Sequence, residues 1–258
     1  METYDIAVIG AGPCGVAVGG AAKQGGLSAI LFDKGSIAAS LVDYPYYMRY
    51  FSTADRLEVA GVPWAIPERN PSRREAIVYY QRVAQYFQMK VQQYEAKNIV
   101  MATGGFHAPN MLEVPGEDLP KVHHYYREPY PYFDQDVLVV GGSNSAVEAS
   151  LELYRNGARV TLVHFKDQLD RGVKAWVVPD ITNRLEQGDI AVHWEHRVSE
   201  IKPESVVLKK EGTGALTELK NDWVVALTGW KPNPVLLRDM GVEIEASTGI
   251  PNHDPETM

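Results

Sequence analysis

Gly10-Ala11-Gly12-Pro13-Cys14-Gly15 joins a phosphate-binding glycine pattern to the chain's single cysteine. In such a loop the first glycine allows a tight turn and the second lets the backbone approach a pyrophosphate. The third lets the following helix pack close to the preceding strand. Gly10, Gly12, Pro13 and Gly15 are therefore expected around a dinucleotide pyrophosphate. Asp33 follows Gly10 by 23 residues, near the spacing of a carboxylate that binds a ribose hydroxyl, and Lys34 stands beside it. Cys14 would lie in the first helical turn, where the helix dipole favours a thiolate, the attacking species in disulfide exchange. The same slot also suits a small structural residue, a role cysteine often fills, and a bound pyrophosphate would oppose a thiolate beside it.

A second loop, Gly141-Gly142-Ser143-Asn144-Ser145-Ala146, is a variant of the same pattern with Ser143 in place of the middle glycine. Here the strand that follows the helix ends without an acid, and His164, Lys166, Arg171 and Lys174 come after it. Basic groups at that position suit the 2′-phosphate of NADP better than the free ribose of NAD, so NADPH is the expected cofactor of this unit. A solvated basic loop is the plainer alternative.

The elements that must position these residues read alike in both halves. Ile6-Ala7-Val8-Ile9 is a short apolar run suited to a buried parallel strand. A helix continues through Val16 to about Lys23, Gly25-Gly26 ends it, and Ser28 to Phe32 forms the next strand. In the second half, Val137 to Val140 is the strand, Val147 to Asn156 the helix and Arg159 to Val163 the next strand. Each half closes on an apolar strand and a Thr-Gly turn, Thr103-Gly104 and Thr228-Gly229, which bring the chain back across the nucleotide site. The expected fold is α/β, with two Rossmann-like, doubly wound dinucleotide-binding domains. Residues 1–118 and 235–258 form an FAD domain, and an NADPH domain of residues 119–234 is inserted into it.

The halves differ in length. Val192 and Ala226 are 34 residues apart, with Val198–Ile201, Ser205–Lys210 and Leu216–Lys220 reading as a meander of short strands, whereas Val91 and Ala102 are 11 apart. The first half thus lacks a meander near Glu95-Ala96, and the polar stretch from Gly249 to Met258 lacks the strand and helix expected to complete an FAD site. The net charge of −8 argues against nucleic acid or an anionic membrane as partner. One cysteine excludes an internal disulfide and a cysteine-based zinc site. With no apolar run long enough for a bilayer and an acidic start unlike a signal peptide, a cytoplasmic location is expected.

Further candidates carry less. Tyr44, Tyr46, Tyr47, Tyr50 and Phe51 form an aromatic loop that would stack on a flavin ring, line the entry of a disulfide or simply pack, with Ser52 and Thr53 placed to hydrogen-bond the flavin. His123-His124 has no carboxylate spaced to complete a metal site, so no metal is expected, and the segment reads as a crossing between domains. Lys231-Pro232-Asn233-Pro234 reads as the return crossing.

Several stretches together resemble the YpdA, or bacillithiol-disulfide reductase, family, thioredoxin-reductase-like flavoproteins. They are Gly12 to Gly15, Tyr44-Pro45 through Thr53, Arg74-Glu75-Ala76 with Tyr79-Tyr80, Gly141 to Glu148, and Val173 to Trp176 with Pro179-Asp180. The resemblance implies FAD in the first unit, NADPH in the second, and hydride transfer from NADPH to flavin. Electrons then pass to a small-molecule disulfide of the bacillithiol type, with Cys14 as the redox thiol. It also implies a homo-oligomer, dimer or tetramer. Thioredoxin reductases proper carry a Cys-x-x-Cys pair, which this chain lacks. The alternatives are an NADPH-dependent ferredoxin or flavodoxin reductase that works through flavin alone, and a truncated, non-catalytic nucleotide-binding protein.

Overall fold

Two parallel sheets grow from the two apolar runs. The computed structural model describes residues 3–89, 95–104, 108–231, 234–245, 249–254 and 256. In the first half, β1 (Thr3–Ile9) leads through the glycine loop into α1 (Pro13–Gln24) and back to β2 (Ala29–Phe32). After α2 (Ala54–Leu57) and α3 (Arg73–Tyr86), β3 (Glu95–Met101) returns on the far side of β1, giving the parallel order β2-β1-β3. The strand at 95–101 starts earlier than Ile99 because its pairing with β1 runs from Thr3 to Ile9. Ser72 and Glu75 form a capping box that starts α3, and α3 then buries Ala76, Tyr79, Tyr80 and Val83. Tyr79 stacks on Trp64 at 4.2 Å between ring centroids, which anchors the segment ahead of α3 to the core.

The second half repeats the plan on a wider sheet. β4 (Val122–His123), β5 (Asp136–Val140), α4 (Asn144–Arg155) and β6 (Arg159–His164) come first, then α5 (Val178–Gln187) and β7 (Ala191–Trp194). The meander β8 (His196–Ile201), β9 (Ser205–Lys210) and β10 (Leu216–Lys220) follows, then β11 (Trp223–Ala226) and the short α6 (Val235–Asp239). The parallel sheet has the order β4-β11-β5-β6-β7, and the meander is a separate antiparallel sheet. β5 is apolar from Val137 to Val140, the part buried on both faces. Val137 and Val139 pack with α4, α5 and Ile190, while Leu138 and Val140 pack with Val198, Ile201, Val206 and Leu208 of the meander. The crossing at His123 serves as one edge strand of the sheet, paired with Val225 of β11.

The two halves match at the level of single hydrogen bonds. Gly10 N donates to Phe32 O at 2.7 Å, and Gly141 N to Val163 O at 2.9 Å. Val16 N donates to Gly12 O at 2.9 Å, and Val147 N to Ser143 O at 3.0 Å. Ala102 N donates to Ile9 O at 2.6 Å, and Leu227 N to Val140 O at 2.8 Å. Gly10 and Gly141, Gly12 and Ser143, Cys14 and Ser145, and Asp33 and His164 are thus structural counterparts. The second helix begins at Asn144, directly after the loop, rather than at Val147, as its counterpart begins at Pro13. Gln92 to Tyr94, at the shortened junction, lie outside the described residues, as do Pro232-Asn233 and part of the stretch after Gly249.

Candidate nucleotide and thiol sites

The first loop is shaped by what a Cβ would strike. Gly10 has φ +110, and a Cβ there would stand 2.1 Å from the Ala102 carbonyl oxygen. A Cβ on Gly15 would meet the Gly10 carbonyl at 1.8 Å, so the helix can pack this closely only with glycine. Gly12 has ordinary extended geometry, and a Cβ there would meet nothing nearer than Ser40 Oγ at 3.8 Å. Its missing side chain leaves open ground before α1, whose first amides have no partner within the helix and no side-chain cap at Gly12. Such a helix start suits an anionic pyrophosphate, and the residues fit the dinucleotide the loop implies.

Asp33 joins this loop to the end of β2. Its Oδ2 accepts from Ala11 N at 2.6 Å and its Oδ1 from Gly35 N at 2.8 Å, while Ala11 O accepts from Ala38 N at 2.9 Å. Lys34, Thr103 and Gly104 are exposed. Cys14 is the second residue of α1 and is exposed, free of any disulfide. It lies close enough to Tyr80 to add to the upward shift of that phenol, which burial chiefly pushes up to about 12, with Tyr79 also contributing. In the aromatic loop, Asn70 Nδ2 donates to the carbonyls of Tyr50, Phe51 and Ser52 at 3.1, 3.0 and 3.3 Å. The Phe51 ring is exposed, while Tyr44 and Tyr50 turn inward and burial raises both phenols.

The second loop opens on a cleft of about 530 Å³, lined by Gly141, Gly142, Ser143 and Ser145 on one side and by Thr228 and Gly229 on another. Gly141 has φ +144, and a Cβ there would stand 2.6 Å from the Leu227 carbonyl oxygen. Asn110 clamps the Thr-Gly turn: its Nδ2 donates to Thr228 O at 2.9 Å, and Thr228 Oγ1 donates to Asn110 O at 2.5 Å. Asn110 Oδ1 and both ring nitrogens of His164 are buried in the cleft wall without hydrogen-bond partners. Such atoms fit a polar ligand that completes them.

The basic residues expected on the 2′-phosphate are not gathered there. His164 is buried against the loop, with a ring so close that a Cβ on Gly142 would meet it at 2.5 Å. Burial lowers its pKa, against the opposing pull of Asp170, so at neutral pH the imidazole meets the cleft uncharged. Lys166 is paired with Asp170 four residues on, and Arg171 is exposed and outside the cleft lining. Lys174 is buried, paired with Glu148. Asn144 serves the chain rather than the cleft: Nδ2 donates to Gly172 O at 2.9 Å and Oδ1 accepts from Lys174 N at 2.8 Å. Sequence reasoning missed Phe165 and Arg197, both of which line the cleft. Phe165 directly follows the tip of β6, a position the strand pattern marks; Arg197 comes from the meander, and nothing in its neighbours marks it. Among the described residues no cluster of His, Cys, Asp or Glu is placed to hold a metal ion, and no helix is long and apolar enough to cross a membrane.

A family model described as pyridine nucleotide-disulphide oxidoreductase matches residues 7–95 and 89–258, two stretches that meet where the first half is short. Bacilliredoxin reductase Bdr of Bacillus subtilis (strain 168) is 35% identical over 97% of this chain and 84% of its own. The solved structure of Bacillithiol Disulfide Reductase Bdr (YpdA) from Staphylococcus aureus matches with a TM-score of 0.95 and 32% identity, covering 100% of this chain and 86% of that one. The corresponding structure from Bacillus cereus matches with a TM-score of 0.95 and 33% identity, over 100% of this chain and 87% of that one.

Proposed function

Because the chain belongs to the pyridine nucleotide-disulphide oxidoreductases, in the family of the bacillithiol disulfide reductases, we propose that it passes electrons from NADPH through FAD to a low-molecular-weight disulfide of the bacillithiol type. It is an oxidoreductase that uses FAD and a nicotinamide dinucleotide. The observation that carries the finer reading is the paired loop geometry, with an exposed thiol in one loop and a serine at its counterpart in the other. We assign the first loop, with Gly10, Gly12, Pro13, Gly15, Asp33 and the Thr103-Gly104 turn, to FAD. The second, with Gly141, Gly142, Ser143, Ser145 and the Thr228-Gly229 turn, takes NADPH. The NADPH domain, residues 119–234, is read as an insertion between 1–118 and 235–258 of the FAD domain.

Asp33 holds the loop and orients the ribose, and the free amides of α1 face the pyrophosphate. Cys14 Sγ attacks one sulfur of the substrate disulfide. One substrate sulfur leaves as a thiolate and takes a proton, and a mixed disulfide remains on Cys14. FAD, when bound and already reduced by NADPH, would supply the two electrons that, with two protons, return this disulfide to two thiols. A cytoplasmic setting is expected, since a lone cysteine of this kind must stay reduced, and the family resemblance implies a homo-oligomer.

The test is spectroscopic. The purified protein should be yellow, NADPH should bleach it without oxygen, and bacillithiol disulfide should restore the colour. Cys14→Ala should still bleach with NADPH but lose disulfide turnover by roughly a hundredfold or more. A protein that stays colourless with added FAD, or a Cys14→Ala enzyme turning over at the wild-type rate, would defeat this reading.

A further inference from the structure

His164 is the counterpart of Asp33, so it marks where the adenosine ribose of the second dinucleotide belongs. The next residue, Phe165, is partly exposed at the rim of the cleft. The Arg197 guanidinium carbon lies 4.5 Å from the Phe165 ring centroid, and the Lys166 ammonium lies 5.4 Å from it. Arg197 is the only lysine or arginine among the described residues that line the cleft. It also borders a second hollow, of about 520 Å³, with Lys209 and Lys210.

We propose that Arg197, carried by β8 of the meander, reads the 2′-phosphate of NADPH, with Phe165 as the platform that holds its guanidinium. This rests on the assignment of NADPH to the second loop. The chemistry selects Arg197 by what the other cations are already doing. Lys166 neutralises Asp170, an anion in the cleft wall that would otherwise repel a phosphate. His164 is buried and Arg171 lies outside the cleft. Arg197 is paired only with Glu211, on the exposed rim at the start of the β9–β10 turn, where an ion pair is weak. A phosphate dianion offers the planar guanidinium a stronger, bidentate partner than this carboxylate, so the nucleotide displaces Glu211. The ring beneath Arg197 keeps it over the ribose position while the partner changes.

The test uses the full-length, FAD-loaded protein and two nucleotide fragments, 2′,5′-ADP and 5′-AMP, which differ by the 2′-phosphate alone. Their binding is measured by calorimetry, which does not depend on turnover. Wild-type protein should bind 2′,5′-ADP roughly tenfold or more tightly than 5′-AMP. Arg197→Met should abolish that preference while leaving 5′-AMP affinity within about twofold, and Arg197→Lys should restore part of it. Glu211→Gln, which frees Arg197, should tighten 2′,5′-ADP severalfold. A preference that survives Arg197→Met, or that disappears in Arg171→Met instead, overturns the proposal. Equal binding of both fragments by the wild type overturns it as well but leaves the nucleotide-binding unit standing. Binding of neither removes the assignment of that unit, and this proposal with it.

Discussion

Lys174 Nζ donates to the backbone carbonyl of Arg49, 3.2 Å away, while its charge is held by Glu148 at 2.7 Å. Arg49 belongs to the aromatic loop of the first half and Glu148 to α4 of the second, so one buried ammonium ties the two halves together. Neither loop motif contains Lys174. It reaches this position because Asn144, at the start of α4, accepts from the Lys174 amide and sets the path of its loop.

Lys174→Met should therefore weaken the contact between halves. Glu148 is partly exposed, so water relieves some of the penalty of leaving it unpaired, and the expected loss is about 1–3 kcal/mol rather than the full cost of a buried charge. Glu148→Gln should cost at least as much, because it leaves the buried Lys174 ammonium without its counter-charge. Because the residues are partners, the double variant should lose less than the sum of the single losses. Urea unfolding of the three variants checks this; additive losses would show that the pair does not act as a pair.

Gly142→Ala should disturb the second unit selectively. The new methyl would meet the His164 ring at 2.5 Å, and the ring is buried with little room to turn. Overpacking of this kind costs about 1–3 kcal/mol. The melting temperature should fall and 2′,5′-ADP binding should weaken, while the flavin-to-protein ratio stays at the wild-type value. Adding His164→Ala removes the obstacle and should recover part of the stability. A double variant less stable than Gly142→Ala alone would contradict this account of the clash.

The two loops, their strands and the meander were legible because each rests on local rules. The apolar runs at Ile6–Ile9 and Val137–Val140 form the central strands, and the glycines stand where backbone approaches backbone. The charge chemistry was less legible, since chain distance does not reveal which cations are already paired. Lys166 looked available until Asp170, four residues on, was seen to hold it, and His164 looked cationic until its burial was seen. Asn144 sits in the loop motif yet spends both ends of its amide on the segment 172–174. Arg197 enters the cleft from a strand more than thirty residues beyond His164 in the chain, a placement that only the packing of the meander on the sheet creates.

Asp33→Ala should separate the two nucleotide sites. The carboxylate accepts two backbone amides, Ala11 N and Gly35 N, so its removal loosens the first loop as well as deleting the proposed ribose acceptor. FAD affinity should fall by roughly tenfold or more, seen as a lower flavin content after purification. Calorimetric binding of 2′,5′-ADP to the second unit should remain within about threefold of wild type. Loss of both together would mean that the loops are not independent.

Asp5 gives a pH dependence whose sign is fixed by its partners. Its carboxylate accepts from Ser28 Oγ at 2.7 Å, from Lys97 Nζ at 3.0 Å and from Ser28 N at 3.1 Å, stitching β1 to both of its neighbouring strands. The Ser28 hydroxyl first, then Lys97 and the Ser28 amide, hold its pKa down at about 2, against 3.8 for the free side chain. A carboxylate whose pKa is lowered on folding stabilises the protein above its unfolded pKa. That stabilisation is lost as the pH falls from 3.8 through about 2. Asp5→Asn should therefore be less stable than wild type at pH 6, and the difference should shrink steadily below pH 4. Denaturant unfolding of both proteins from pH 6 to pH 2 measures it. A difference that stays constant, or grows on acidification, would mean that the ionised carboxylate is not what joins these strands.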